Sequence, residues 1–324
     1  MHSLHQDNII DPLGPRPLEL FSLTQQGAKI MAASFTTHKT VYPSISASAP
    51  ELSQSGRTVL ITGGSKGIGF AIARAFAQAG ALRVIVVARN SGELLAVEKR
   101  IREAVSFQGQ VLPITCNLDD IGAVQSMWDG LHAQQINVDV LVLNAATSGT
   151  EGRMLQESEQ RWKQTWGLFE MNVRANLVCA DRLINQSIEG KPPSPRAILN
   201  VSSCFLHDSS DTVGHGAYAS TKTALACLLQ HLAAEIPREE VQILSFHPGF
   251  VYTEGLHEIC GPDDYDWDSD KLPGNFAVWA ASAQAKFLHG RFVWASWDVK
   301  EVADSMTDIL DRDRDYWKLG VKGL

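Results

Sequence analysis

Short apolar runs recur through the middle of this chain, and each is followed by a stretch of helical periodicity. "TVLIT" precedes "FAIARAFAQAG", "LRVIVVA" precedes "GELLAVEKRIREAV", "QVLPI" precedes "DIGAVQSMWDGLHAQ", and "VDVLVLN" opens the next unit. An apolar run without polar alternation is a strand buried on both faces. Strands of that kind separated by helices belong to a parallel sheet covered on both sides. The rhythm therefore predicts a doubly wound α/β architecture. The second half continues it with strands "RAILNV", "VQILSFH" and "RFVWAS", set among helices over "QTWGLFEMNVRANLVCADRLINQSI", "GAYASTKTALACLLQHLAAEI", "AVWAASAQAKFLHG" and "DVKEVADSMTDIL".

A chain of 324 residues, 44% of them hydrophobic, is long enough to bury one large core. No proline linker divides two complete apolar patterns, so residues 56–324 read as a single catalytic domain. Residues 1–55 lack periodicity and read as an extension, partly disordered or packing as an arm on the domain or a partner subunit, with one short helix near residues 18–30. A formal charge of −8 and the lack of a basic stripe argue against nucleic-acid binding. No apolar run reaches bilayer length, and the opening "MHSLHQDNIIDPLGPRPLEL" has acids and prolines where a secretory leader needs a basic start and an apolar run. The five cysteines, Cys116, Cys179, Cys204, Cys227 and Cys260, form no CxxC pair, which predicts a reducing, cytoplasmic setting without zinc or disulfides. The aspartates between residues 263 and 270 lack the periodicity of a metal loop and read as a solvated acidic segment, so no metal is expected.

Between the first strand and its helix stands "TGGSKGIG", residues 62–69. Glycines at that turn let the backbone approach a diphosphate, and the free amides of the following helix favour anionic oxygens. The second strand ends "VVARN", with Arg89 where an acid would accept the ribose hydroxyls of NAD. Lys66 adds a second cation in the glycine loop. Both suit a 2′-phosphate, so the expected cofactor is NADP(H).

Further along, "YASTK" places Tyr218 and Lys222 four positions apart, on one helical face. Together "TGGSKGIG", "NAA" at 144–146, Asn172, "YASTK" and "HPGFVYT" at 247–253 resemble the short-chain dehydrogenase/reductase family over roughly residues 55–310. "HPGFVYTEG" and "GRFVWASWD" are most similar to its fungal branch in secondary-metabolite biosynthesis. The resemblance implies a Rossmann-type fold with a seven-stranded parallel sheet between helical layers, and hydride transfer between NADP(H) and a carbonyl or alcohol carbon. It also implies roles: Tyr218 as acid/base, Lys222 as its partner, Asn172 in a proton relay, and Ser203 polarising the substrate. It places Thr62, Gly63, Ser65, Lys66, Gly67, Ile68, Gly69, Arg89, Asn117, Leu118, Asn144, Ala145, Ala146, Pro248, Gly249, Val251 and Thr253, with Tyr218 and Lys222, around the cofactor. The chemistry suits these types. Reduction builds negative charge on a carbonyl oxygen, which calls for a proton donor and a fixed hydroxyl, while a nearby ammonium favours the phenolate.

Two departures from the family pattern stand out. Ser203 and Tyr218 are 15 positions apart, slightly more than is usual, so the loop between them is longer and adjacent Ser202 is a second candidate. His207 and His215 in that loop either border the pocket or, as expected of histidines on a surface loop, are plain solvent contacts. Asn117 replaces the usual aspartate beside the adenine, which keeps an acceptor without the charge.

After Thr253, residues 252–275 read as a substrate lid whose Tyr265 and Trp267 either cover a ligand or pack the loop. The resemblance implies a homodimer or homotetramer paired through the long helices, and the expected substrate is a small to medium organic metabolite. The leading function is NADPH-dependent reduction of a ketone, or the reverse oxidation. Two competitors use the same residues differently: a non-redox isomerase, cyclase or dehydratase, and a catalytically silent NADP-binding regulator.

Overall fold

The computed structural model describes residues 35–150, 152, 154–155, 160–187, 195–207, 212–257 and 260–320. The helix expected near residues 18–30 lies outside them. Seven parallel strands form one sheet in the order β3-β2-β1-β4-β5-β6-β7. They are β1 (Thr58–Thr62), β2 (Arg83–Ala88), β3 (Gln110–Thr115), β4 (Val140–Leu143), β5 (Arg196–Val201), β6 (Val241–His247) and β7 (Phe292–Trp294). Every residue of β1, β4 and β6 is buried. That is the physical meaning of their unbroken apolar runs: helices cover both faces of the sheet.

The helices are α1 (Gly67–Gln78), α2 (Ser91–Leu95), α3 (Val97–Ala104), α4 (Ile121–Ala133), α5 (Gln160–Phe169), α6 (Ala175–Asn185), α7 (Gly216–Glu235), α8 (Lys271–Ala280) and α9 (Val299–Arg312). Two cores result. One holds α1, α8 and α9 against one face of the sheet; the other holds α4, α6 and α7 against the opposite face. Side chains at their ends mark several starts. Asn90, Asp120 and Asp298 each accept hydrogen bonds from the first free amides of α2, α4 and α9.

Three elements differ from the reading of the sequence. The helix expected over residues 92–105 is broken at Ala96 into α2 and α3. The long helix through Asn172 carries a π turn, Glu170–Arg174, between α5 and α6. The helix expected from Ala277 starts at Lys271, because Leu272, Pro273 and Gly274 are buried against α1, where a Cβ on Gly274 would stand 2.6 Å from the Ala71 carbonyl oxygen.

Residues 35–55 lie along the domain. Ile45 and Leu52 are fully buried, Tyr42 donates from its hydroxyl to the Trp297 carbonyl (2.8 Å) and accepts from the Val299 amide (3.0 Å), and the Ala47 amide donates to Asn275 Oδ1 (2.7 Å). At the far edge of the sheet, the Phe292 amide donates to the Trp317 carbonyl (3.0 Å), so the end of the chain covers β7. No helix among the described residues is long and apolar enough to cross a membrane.

The order of strands reverses between β1 and β4, whose carboxyl ends therefore face a shared crevice. The glycine loop and Asn144 meet there.

Candidate functional site

At the end of β1, Gly63 turns with φ +65°, a conformation that strains any side chain, and a Cβ there would meet Ala145 at 3.0 Å. Gly69 is required for a different reason: a Cβ on it would stand 2.2 Å from the Gly63 carbonyl oxygen and 2.5 Å from Asn144 Nδ2. The loop is thus closed on itself and on β4. Asn144 Nδ2 donates to the carbonyls of Thr62 (3.0 Å) and Gly63 (3.1 Å), while Thr62 Oγ1 accepts from the amides of Asn144 (3.0 Å) and Ala145 (3.1 Å). Thr62, Gly63, Gly69, Asn144 and Ala145 form one clamp. Gly67 and Ile68 open α1.

Beside this clamp lies an open cleft of ≈ 490 Å³. Gly63, Ser65, Lys66 and Arg89 line one end, Asn117 and Leu118 the outer wall, and Asn144, Ala145 and Ala146 the inner wall. These are residues the glycine-loop and strand-end motifs singled out. Thr147, Met171 and Glu93 line it as well, and the sequence reading missed them. Glu93 changes the electrostatics of the basic end. Its carboxylate accepts from Ser65 Oγ (2.7 Å) and Lys66 Nζ (3.2 Å), and Glu254 stands 3.6 Å from the same ammonium. The Ser65 hydroxyl, followed by Lys66 and Arg89, holds the Glu93 carboxyl below its usual range. The clue was the "RNSGE" spacing, which brings Glu93 into the first turn after the Asn90 cap.

The chemical end is built by α7, the π turn and the ends of β5 and β6. Lys222 is buried and donates from Nζ to the Val201 carbonyl (2.8 Å), 5.7 Å from the centroid of the Tyr218 ring. Burial lowers the Lys222 ammonium to about 8. Burial also raises the Tyr218 phenol well above its ordinary value, with Cys204 adding to the effect.

Asn172 joins this group through its partners. Its side chain accepts from the Thr147 amide (2.9 Å) and donates to the Thr147 carbonyl (2.9 Å) and Thr221 Oγ1 (3.0 Å). Thr221 belongs to the same turn as Tyr218 and Lys222, so Asn172 ties the β4 exit to α7. The π turn shifts the helix register at Asn172, whose own carbonyl accepts from Asn176 Nδ2 (2.8 Å). A π turn inside a helix commonly marks a functional position.

Ser203 is half-buried, and its hydroxyl accepts from the Phe205 amide (3.3 Å), capping a short turn over Cys204–Leu206. Ser202 Oγ is buried without a hydrogen-bond partner. The two loop histidines are not plain solvent contacts. His207 Nε2 accepts from Trp294 Nε1 (3.0 Å), with its ring stacked on that indole, because the longer loop folds back over β7. His215 stacks on Phe205 and, with Tyr218, lines a small pocket together with Ser148, Met154, Arg161 and Leu168. Residues 208–211 of the same loop lie outside the described residues.

Pro248, Gly249, Val251 and Thr253 follow β6, and the Thr253 methyl lies 3.6 Å from where a Gly67 Cβ would stand. Thr253 thus borders the glycine loop, and none of the four lines the open cleft. In the loop beyond, Tyr252, Tyr265 and Trp267 pack on one another with centroids 4.9–5.4 Å apart, so the aromatics hold the loop together. Its carboxylates have protein partners: Asp264 accepts from the Gly261 amide, Asp266 pairs with Lys39, Asp268 accepts from the Phe250 amide, and Asp270 pairs with Arg74. Among the described residues no group of three metal-binding side chains is assembled.

A family model described as short chain dehydrogenase matches residues 57–261. The short chain dehydrogenase/reductase nsrO of Aspergillus novofumigatus is 34% identical over 273 residues, covering 82% of this chain and 89% of that protein. AacuD of Aspergillus aculeatus is 30% identical, with coverage of 88% and 95%, and mpl6 of Monascus purpureus is 31% identical, with coverage of 87% and 96%. Among solved structures, a 7α-hydroxysteroid dehydrogenase complexed with NADH and 7-oxo glycochenodeoxycholic acid superposes with a TM-score of 0.66 at 21% identity, covering 79% of this chain and 97% of that one. A 3-oxoacyl (acyl-carrier-protein) reductase from Agrobacterium tumefaciens with NADP bound gives 0.63 at 21% identity, covering 75% and 94%.

Proposed function

The chain belongs to the short-chain dehydrogenase/reductase family of oxidoreductases, and from that premise we propose that it reduces a ketone of a small to medium organic metabolite with NADPH. The observation that carries this reading is the pairing of Tyr218 with buried Lys222, whose Nζ lies 5.7 Å from the centroid of the Tyr218 ring.

The residues present fit a nicotinamide dinucleotide. The cradle at Gly63 and Gly69 leaves no room for side chains, and the cleft beside it is long enough to present a basic end at Arg89 and Lys66. Gly63, Ser65 and Asn144 with its following alanines would hold the diphosphate and nicotinamide ribose, and Arg89 and Lys66 the 2′-phosphate. When bound, the cofactor supplies a hydride to the carbonyl carbon.

The protein's part is to bind and orient the substrate and to move a proton. Tyr218 Oη donates to the carbonyl oxygen as negative charge builds there, and the Ser203 hydroxyl directs its dipole at the same atom. Accepting from the Phe205 amide leaves the Ser203 O–H available to donate. Lys222 lies behind the ring, where its ammonium lowers the cost of the phenolate left after the proton is given up. Asn172 holds the β4 exit against α7 and so keeps Tyr218 and the cleft in one frame.

Self-association is the second part of the proposal. Trp162 and Trp166, one turn apart on α5, are 55% and 60% exposed, and Leu228 on α7 is exposed too. Large aromatics left in water on long helices support pairing with a second copy.

The test is direct. Purified protein, NADPH and a panel of ketones are followed by loss of the reduced nicotinamide absorbance, and products are identified by mass. Turnover with NADPH that exceeds turnover with NADH supports the reading. Product formation without net NADPH consumption would favour a non-redox reaction on the same residues.

A further inference from the structure

The acidic loop before α8 contains one carboxylate that points inward, and its partners belong to the segment that leaves β6. Asp268 Oδ2 accepts from the Phe250 amide (2.8 Å), the Asp268 amide donates to the Phe250 carbonyl (2.8 Å), and Val251 and Asp268 form an isolated parallel bridge. Gly249 makes this approach possible. Its φ is +95°, and a Cβ there would stand 2.6 Å from Asp268 Oδ2.

Asp268 is itself fixed from two sides. The neighbouring Ser269 amide donates to the Lys39 carbonyl (2.7 Å) on the arm, and Asp270 pairs with Arg74 of α1 (3.1 Å). The path therefore closes on the glycine loop by two routes. One runs from Asp270 through Arg74 down α1. The other runs from Asp268 through Phe250 and Val251 to Thr253, whose methyl stands 3.6 Å from where a Gly67 Cβ would be.

We propose that Asp268 is a positioning residue that sets the Pro248–Thr253 segment against the glycine loop, and thereby shapes the nicotinamide half of the cofactor site but not its adenosine half. The adenosine half would be held by other residues that line the cleft: Lys66, Arg89, Asn117 and Leu118. Lys66 meets the segment after β6 through Glu254, 3.6 Å away. Two hydrogen bonds to one backbone residue, and a glycine kept free for a carboxylate, are more than a solvated acidic loop requires. Burial raises the Asp268 carboxyl above its usual range, against the opposing effect of the Phe250 amide, which is the environment of a held group rather than a hydrated one.

This inference rests on the reading of the cleft as a dinucleotide site, and the experiment separates the two. Binding by wild type, Asp268→Ala and Asp268→Asn is measured for a whole dinucleotide and for its adenosine half alone. The pairs are NADPH with adenosine 2′,5′-bisphosphate, and NADH with AMP, so the split is read on whichever dinucleotide wild type prefers. That preference tests the cofactor reading; the split tests Asp268.

Asp268→Ala should weaken the whole dinucleotide about 10-fold, as expected for a lost hydrogen bond to a charged group, and leave the adenosine half within about 2-fold. Asp268→Asn keeps an acceptor for the Phe250 amide and should recover most of the loss. Gly249→Ala, which drives a methyl into Oδ2, should reproduce the split if Asp268→Ala folds poorly. Equal weakening of both ligands, no weakening of either, or no binding of any dinucleotide by wild type would each overturn the proposal.

Discussion

At the scale of single residues, the site depends on groups whose ionisation is set by burial. Tyr218→Phe removes the proton donor and keeps the ring, so turnover should fall by about 10²–10⁴-fold while NADPH affinity stays near that of wild type, measured by steady-state kinetics beside nucleotide titration. His247 offers a stability test. It ends β6 fully enclosed, both ring nitrogens lack hydrogen-bond partners, and burial, with His207 adding to it, lowers its pKa to about 3. The unfolded chain takes up the proton near pH ~6.5 and the folded chain only near 3, so stability falls as pH drops through that window. Above it the effect vanishes. Denaturant unfolding at several pH values should show a steeper acid loss for wild type than for His247→Phe, by a few kcal/mol in total; parallel pH profiles would count against a neutral buried imidazole. Residue roles were legible unevenly. Tyr218 and Lys222 announce themselves by spacing, whereas Glu93, His207 and Asp268 act through partners 18 or more positions away, which no local pattern records.

At the scale of elements, the β1–loop–α1 unit is the part most sensitive to a small change. Gly69→Ala adds a methyl against the Gly63 carbonyl, where only backbone can yield, so it should destabilise the fold by about 1–3 kcal/mol and abolish dinucleotide binding, checked by thermal melts and titration. A variant that binds normally would mean the cradle is looser than this geometry. The strands were readable because burial on both faces leaves unbroken apolar runs, and β1 matches its expected span residue for residue. Breaks within helices were not. The π turn at Glu170–Arg174 inserts a register shift without changing composition, and the break at Ala96 sits in a sequence with good helical propensity. The start of α8 was hidden because Pro273 and Gly274 look like loop residues until α1 is packed against them.

At the scale of the whole molecule, two predictions concern surfaces rather than chemistry. The arm from Phe35 to Ser55 has no periodicity because its turns begin at Pro43 and Pro50 and its anchors are single side chains, yet Ile45 and Leu52 are as buried as any core residue. Burying each contributes about 1.5–3 kcal/mol. A chain beginning at Gln54 should therefore melt at lower temperature and aggregate, since Trp297 and α8 lose their cover; an unchanged melting curve would refute a structural role for the arm. Trp162→Glu with Trp166→Glu should shift the mass measured by light scattering toward the monomer, while the circular dichroism spectrum is preserved. The central claim, however, is hydride transfer to a carbonyl with a proton from Tyr218. It is tested most directly by giving the protein NADPH carrying deuterium at the transferable position of the nicotinamide C4, together with a ketone that it turns over, and locating the label in the product. One deuterium on the new carbinol carbon, absent when Tyr218→Phe replaces wild type, is the predicted result; product formed without label from either face of the nicotinamide would contradict it.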